Sequence, residues 1–179
     1  MIDTELEALR YPIGRFSYQT ASTREDLDLA IKTIALFPKK LANAVELLND
    51  AQLSTEYRPS GWNLKQVVHH CADSHLNALT RFKLTLTEDK PIIKPYLEAE
   101  WALLADNELP ISCSLAMLHS MHLKLVFLLE SMTWADFERS YFHPEKNSYL
   151  SLAETTALYA WHGEHHLAHI KNTIKRLAW

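Results

Sequence analysis

Residues 161–169 read Trp161-His162-Gly163-Glu164-His165-His166-Leu167-Ala168-His169, four histidines inside one helical pattern. Ser151 and Glu154 open that pattern with capping-box spacing, and it runs almost to Trp179. Its apolar stripe is Leu152, Tyr159, Leu167, Ile170, Ile174 and Leu177. Imidazoles are costly to bury without partners, and protonated neighbours repel. A divalent metal removes both difficulties, because neutral imidazole is a common ligand and ligation keeps the ring deprotonated.

Two pairs have i, i+4 spacing: His162 with His166, and His165 with His169. At about 100° per residue, His166 lies about 50° and His162 about 90° from the stripe centre. His165 and His169 lie about 150° and 110° away by the same arithmetic. The His162/His166 pair is therefore expected to face the interior. His165 and His169 read as rim or solvent residues, or as hydrogen-bonding partners of a ligand. The spacing alone equally describes a polar stripe or satisfied core histidines. Glu164 follows His162 by two residues and projects elsewhere, so the His-Glu-x-x-His arrangement of metalloproteases is absent. Gly163 costs about 1 kcal/mol of helix propensity against Ala, which suggests close approach by a neighbouring helix or substrate.

A catalytic metal usually takes three protein ligands, so the third is sought on another helix. Asn63 and Gln66 cap a second long helix, running to about Leu86, that contains His69-His70-Cys71-Ala72-Asp73-Ser74-His75. Its apolar stripe of Leu64, Val67, Cys71, Ala78 and Phe82 includes His75, which suits a hydrogen-bonded core residue. His70, Ser74, Asn77 and Arg81 form a flanking polar strip, either a pocket wall or a solvated face. His69 lies further round beside Asp73, and periodicity favours His70 over it only modestly.

Working outward, residues 1–21 read as an extended arm. Ser22-Thr23-Arg24-Glu25 has capping-box spacing and opens a pattern to about Asp50, with a kink or a break at Pro38. Arg58-Pro59-Ser60-Gly61 is a turn. Pro91 and Pro95 mark a connector before a short helix around 97–105, and a third long helix covers about 114–132. Residues 139–150 read as a small hairpin turning at His143-Pro144-Glu145-Lys146-Asn147. The expected fold is all-α: a four-helix bundle with a small hairpin before the last helix, as a single domain over 1–179.

The 179 residues are 47% hydrophobic, enough for one compact core. A net charge of −4 carries no nucleic-acid or anionic-membrane footprint. The N-terminus lacks a signal-peptide core, and no apolar run is read as approaching the roughly 20 residues of a bilayer span. A soluble, cytoplasmic protein is expected. Cys71 and Cys113 suit two reduced thiols, Cys71 as a small buried hydrophobe. With only three glycines, no phosphate-cradling loop is present.

The segments Trp62–His75, Arg81-Phe82-Lys83 and Tyr159–Ile170 closely resemble the YfiT-like branch of the DinB superfamily. Tyr11-Pro12-Ile13-Gly14-Arg15-Phe16 and Tyr141-Phe142-His143-Pro144 resemble it too, so the similarity runs from about residue 10 to the C-terminus. The resemblance implies a four-helix bundle of unusual connectivity, often dimeric, with a three-histidine site for one Zn²⁺ or Ni²⁺. Carried over by motif, the ligands are His70, His162 and His166. The doubled His69-His70 leaves the first open by one residue. Cys71-Ala72 stands where the family more often has an aliphatic residue before the small one.

Proteins of this branch are described as metal-dependent hydrolases, and a Zn²⁺-like ion lowers the pKa of bound water towards about 7. Hydrolysis of a small ester, amide or related electrophile is therefore expected. Relatives in the wider superfamily resemble thiol-dependent S-transferases and isomerases, so a low-molecular-weight thiol is the alternative co-substrate. A binding or stress-response module with a structural metal is a second class, which a fourth ligand such as His69 or His165 would favour. A metal sensor is weaker still, since no basic DNA-reading helix occurs. Asp73, Asn77, Arg81 and Tyr141 are candidate pocket residues, and no general base is assigned. The expected partners are a small-molecule substrate and a second copy of the chain, with neither nucleic acid nor membrane.

Overall fold

The computed structural model describes residues 3–18 and 23–179. Four long helices carry the structure: α2 (Arg24–Val45), α4 (Leu64–Thr87), α6 (Ser112–Ser131) and α8 (Leu152–Leu177). The short helices are α1 (Asp3–Arg10), α3 (Asp50–Leu53), α5 (Glu98–Trp101) and α7 (Trp134–Glu138). Strands β1 (Ser140–His143) and β2 (Ser148–Ser151) pair antiparallel, with Tyr141 opposite Leu150. Asn147 takes the left-handed conformation at φ 48° after the Pro144–Lys146 3-10 turn, which closes the hairpin.

α2 and α4 each pack against both α6 and α8, so α2 and α4 occupy one diagonal of the bundle and α6 and α8 the other. Helices consecutive in sequence are thus diagonal twice, α2 to α4 and α6 to α8. Each of these steps needs a connector that crosses the bundle end, whereas simple up-down bundles join neighbours by short loops. Leu27, Ile34, Phe37, Leu41, Leu64, Phe82, Leu118, Leu125 and Leu129 fill the centre, fully buried.

Three local departures from the sequence reading have physical causes. Residues 3–10 are helical rather than extended, as suits a run rich in Leu, Glu, Ala and Arg. The α2 cap is Thr23 with Asp26, one residue beyond the expected pair, and Ser22 lies outside the described residues. α2 also runs unbroken through Pro38. Proline has no N–H, so the carbonyl of Ile34 loses its helical donor, and His122 Nδ1 on α6 bonds to it at 2.8 Å instead. The caps Asn63/Gln66 and Ser151/Glu154 form as read.

α6 corrects the expectation that no apolar stretch reaches bilayer length. By length and composition it could cross a membrane. It packs against α2 and α4 on one side, while Leu123 and Phe127 on the other are 62% and 78% exposed.

Candidate metal centre

α4 and α8 pack side by side and bring His70, His162 and His166 together. The i, i+4 spacing stacks His162 and His166 on one face of α8, with ring centroids 4.5 Å apart. His70 on α4 faces both, at 5.2 Å from His162 and 4.8 Å from His166. One nitrogen from each ring lies within 4.8 Å of the others, and His70 Nε2 is 3.2 Å from His162 Nε2. Metal–nitrogen bonds of about 2.0–2.1 Å at tetrahedral angles place two ligand nitrogens about 3.3 Å apart. The 3.2 Å between His70 Nε2 and His162 Nε2 suits ligation of one divalent ion, with the His166 nitrogen close enough to join.

Burial keeps these rings neutral. It lowers His70 to about 4, with a smaller push from His165, and holds His162 and His166 well below the ordinary imidazole range. Neutral imidazole is the form that ligates.

Two hydrogen-bonded chains of histidines stand behind the pair on α8. His162 Nδ1 meets His75 Nε2 at 3.2 Å, His75 Nδ1 meets His122 Nε2 at 3.0 Å, and His122 Nδ1 ends on the Ile34 carbonyl. On the other side His166 Nδ1 meets His169 Nδ1 at 3.4 Å, and His169 Nε2 ends on the Arg10 carbonyl at 3.2 Å. A carbonyl only accepts, so His122 carries its proton on Nδ1 and His169 carries its own on Nε2. Burial lowers His75 well below the usual range, His122 to about 4 and His169 to about 3. Each ring, being neutral, then has one donor and one acceptor, and the order propagates. His75 donates from Nδ1, while His162 and His166 donate from Nδ1. Both are left with an Nε2 lone pair for the shared space.

His165 and His169 are buried rather than solvent-facing, and His169 takes the other expected role, hydrogen-bonding the candidate ligand His166. α1 and the segment after it cover that side of α8, through the Arg10 carbonyl, Tyr11 against His165 and Phe16 against Trp161. His165 stacks on Trp161 at 4.4 Å, and His169 on Tyr57 at 4.1 Å. His69 turns away from the cluster, bonding Ser114 Oγ at 2.7 Å and the Leu109 carbonyl at 3.1 Å. Of the doubled pair, only His70 stands with the α8 histidines. Among the described residues no fourth His, Cys, Asp or Glu joins the cluster. The role of His122 went unread in the sequence, although Pro38 inside a helix signals a carbonyl in need of a donor.

A cavity of about 200 Å³ opens beside His162, lined by Ser74, Arg81, Tyr96, Glu98, Tyr141, His143, Glu145 and Tyr159 among others. Arg81 and Tyr141 line it, whereas Asp73 and Asn77 do not. At about 100° per residue Ser74 and Arg81 sit about 40° and 20° to one side of His70, with Asp73 and Asn77 on the other. Asn77 bonds back to the Asp73 carbonyl at 2.9 Å. Burial, together with Asp106, pushes the Asp73 carboxyl up to about 6. Thr155 Oγ1 donates to the Ser151 carbonyl at 2.8 Å, so the Tyr141 hydroxyl, 3.1 Å from it, donates to that oxygen. Glu164 pairs with Lys40 at 2.6 Å, and the Cys71 thiol is buried and raised.

The model of the DinB superfamily matches residues 34–170. A protein of Bacillus cereus (strain 03BB102) named "Putative metal-dependent hydrolase" is 49% identical over 171 residues, covering 96% of this chain and 98% of its own. One from Bacillus mycoides (strain KBAB4) with that description is 48% identical over 174 residues, 97% of this chain and 100% of its own. Among solved structures, YfiT from Bacillus subtilis is described as a probable metal-dependent hydrolase with an unusual four-helix bundle topology. It superposes with a TM-score of 0.93 at 42% identity, over 96% of this chain and 99% of that one. The mycothiol-dependent maleylpyruvate isomerase shares the fold at a TM-score of 0.67 and 11% identity, over 87% of this chain and 63% of that one. Sequence and fold agree over nearly the whole chain: it is a YfiT-like member of the DinB superfamily.

Proposed function

We propose that the protein is a metal-dependent hydrolase of a small electrophilic substrate, with His70, His162 and His166 holding one Zn²⁺ or Ni²⁺ ion. One observation carries this reading. Three neutral imidazoles from two helices converge beside an open cavity, and no fourth protein ligand among the described residues closes the set. Structural zinc sites are usually four-coordinate through protein side chains, and catalytic ones keep a position open. When bound, such an ion polarises a carbonyl and lowers the pKa of coordinated water towards about 7.

The chain itself supplies the surroundings. Ser74 Oγ lies 3.4 Å from His162 Nε2, placing a hydroxyl where the reacting end of a substrate would sit. Its neighbours Tyr96 and Tyr159 are held as neutral phenols, their pKa values raised by burial. The His75–His122 chain holds the His162 ring in place from behind.

The test is turnover of a panel of small esters and amides by untagged protein loaded with zinc or with nickel, with and without a low-molecular-weight thiol. Metal-dependent turnover without thiol supports hydrolysis. Product formation that requires the thiol would replace hydrolysis by S-transfer. We further propose a cytoplasmic homodimer, in keeping with the unpaired Cys71 and Cys113 and with the outward Met117, Leu123 and Phe127 of α6. Light scattering on the native protein and on Phe127→Glu tests the second copy, and a monomeric native protein would end that part.

A further inference from the structure

The cavity beside the histidines has a buried cation at its inner end. Arg81 is 9% exposed, and among the described residues no carboxylate lies within 4.0 Å of its guanidinium. The described ion pairs are Glu7–Arg15, Arg24–Asp28, Lys40–Glu164 and Lys65–Glu108, none of them at the cavity. Arg81 Nη1 donates to the hydroxyl of Tyr159 at 3.3 Å, a buried neutral partner that cannot balance the charge. Arginine has five N–H donors and stays charged at any working pH, so this one bond leaves most of its capacity unused. A buried charge without a counter-ion is costly and is ordinarily paired.

The other ionisable groups at the cavity stand at its mouth. Glu98, Glu145 and Lys146 line it but are solvent-exposed. The Glu98 carboxyl is raised chiefly by partial burial and feels the Arg81 charge at a distance, but neither acid is close enough to Arg81 to form an ion pair. His143 and Tyr141 line the same wall and are uncharged, with burial lowering the one and raising the other. Helical side chains lean towards the N-terminus of their helix, so Arg81 reaches back along α4 towards Ser74 and His70. The guanidinium and the histidine cluster therefore face the same small volume from two ends.

We propose that Arg81 is the carboxylate-binding residue of this cavity, and that the substrate is a small carboxylate-bearing electrophile gripped through two parallel N–H···O bonds. The planar fork of arginine matches the two oxygens of a carboxylate. Grip at Arg81 presents the far end of the molecule to Ser74 and His162. At about 200 Å³ the cavity is smaller than sites for drug-sized ligands, which restricts the substrate to a few non-hydrogen atoms. The proposal rests on the hydrolase reading for the reaction and names the substrate class for it.

The experiment measures binding separately from turnover. Native protein is titrated with succinate, with dimethyl succinate and with inorganic phosphate, following the Arg81 side-chain Nε–H resonance. Succinate is expected to shift that resonance saturably and to bind at least about tenfold more tightly than the uncharged diester. Arg81→Met should abolish saturable succinate binding, and Arg81→Lys should weaken it by about tenfold through loss of the fork. Circular dichroism checks that both variants fold. Equal affinity for succinate and its diester, or unchanged succinate affinity in Arg81→Met, would overturn the proposal. Tighter binding of phosphate than of succinate would overturn the carboxylate assignment. Neutral esters turned over with no preference for carboxylates would sink this inference alone. Arg81-dependent succinate binding in a protein that hydrolyses nothing would sink the hydrolase reading alone.

Discussion

Gly163 on α8 lies directly under the ring of Phe37 on α2: a Cβ at position 163 would stand 2.9 Å from two of its ring carbons. Phe37 in turn stacks on His75, with centroids 5.2 Å apart and planes 15° from parallel. The missing methyl thus lets α2 approach α8 where the histidine chain crosses the core. Gly163→Ala would gain about 1 kcal/mol of helix propensity. Phe37 is buried and cannot swing clear, so overpacking of about 1–3 kcal/mol should exceed that gain. Urea unfolding should show a net loss of stability, and a stabilised variant would contradict the packing argument.

His166→Ala removes one of the three converging nitrogens. Stoichiometric metal should be lost, as measured by elemental analysis of untagged protein. One tightly held ion per chain in the purified variant would show that the ligand assignment is wrong.

The carbonyl of Ile34 is expected to act on the candidate ligand His162 through two imidazoles, His122 and His75. His122→Leu removes the link while keeping an apolar filling, and outer partners of ligating histidines typically contribute 10–100-fold in affinity. We expect a loss in that range by chelator competition. His122→Gln restores a donor for Ile34 and an acceptor for His75, so its affinity should stay within about threefold of native. Nitrogen NMR of the metal-free protein supplies an independent reading: His162 and His166 should be protonated on Nδ1. Protonation on Nε2, or equal losses in the two variants, would remove the chain from the account.

Acid should destabilise the metal-free fold. His70 and His122 are lowered to about 4 and His169 to about 3, against about 6.5 when unfolded. Between those values the unfolded chain binds more protons, so stability falls as pH drops from about 6.5 towards 4, by up to about 1.4 kcal/mol per pH unit for each such histidine. Asp73, raised to about 6 by burial, works the opposite way over part of this range, but it is one group against several. The urea midpoint should therefore be clearly lower at pH 5 than at pH 7.5. A flat profile would mean that the rings are not buried as neutral species.

Much of the bundle can be read from local chemistry. The Asn63/Gln66 and Ser151/Glu154 caps, the hairpin and the interior placement of His162 and His166 follow from short spacings, because capping and helical phase are properties of a few adjacent residues. The stretch that forms α1 reads as extended despite the capping-box spacing of Thr4 and Glu7, because eight residues are too short for helical periodicity to stand out. At Pro38 a kink or a break is expected because the rule for proline assumes that the freed carbonyl finds no other donor, whereas His122 supplies one and α2 stays continuous.

Helical phase could place His165 and His169 only relative to the stripe of α8, and it set them too far towards solvent because α1 covers that side. It favoured His70 over His69 only modestly, and although it sets Arg81 and Asn77 on opposite sides of His70, which of those sides faces the cavity is decided by packing.

From its order of residues alone, this chain determined the four long helices, the caps of α4 and α8, and which histidines share a helix face, since those depend on contacts three or four positions apart. Only the packing of the diagonal bundle decided that α4 and α8 meet at His70, that His75 and His122 stand behind His162, and that Arg81 is buried without a counter-ion. These relationships join residues nearly fifty to more than ninety positions apart, and burial and distance between such residues exist only once the helices have packed.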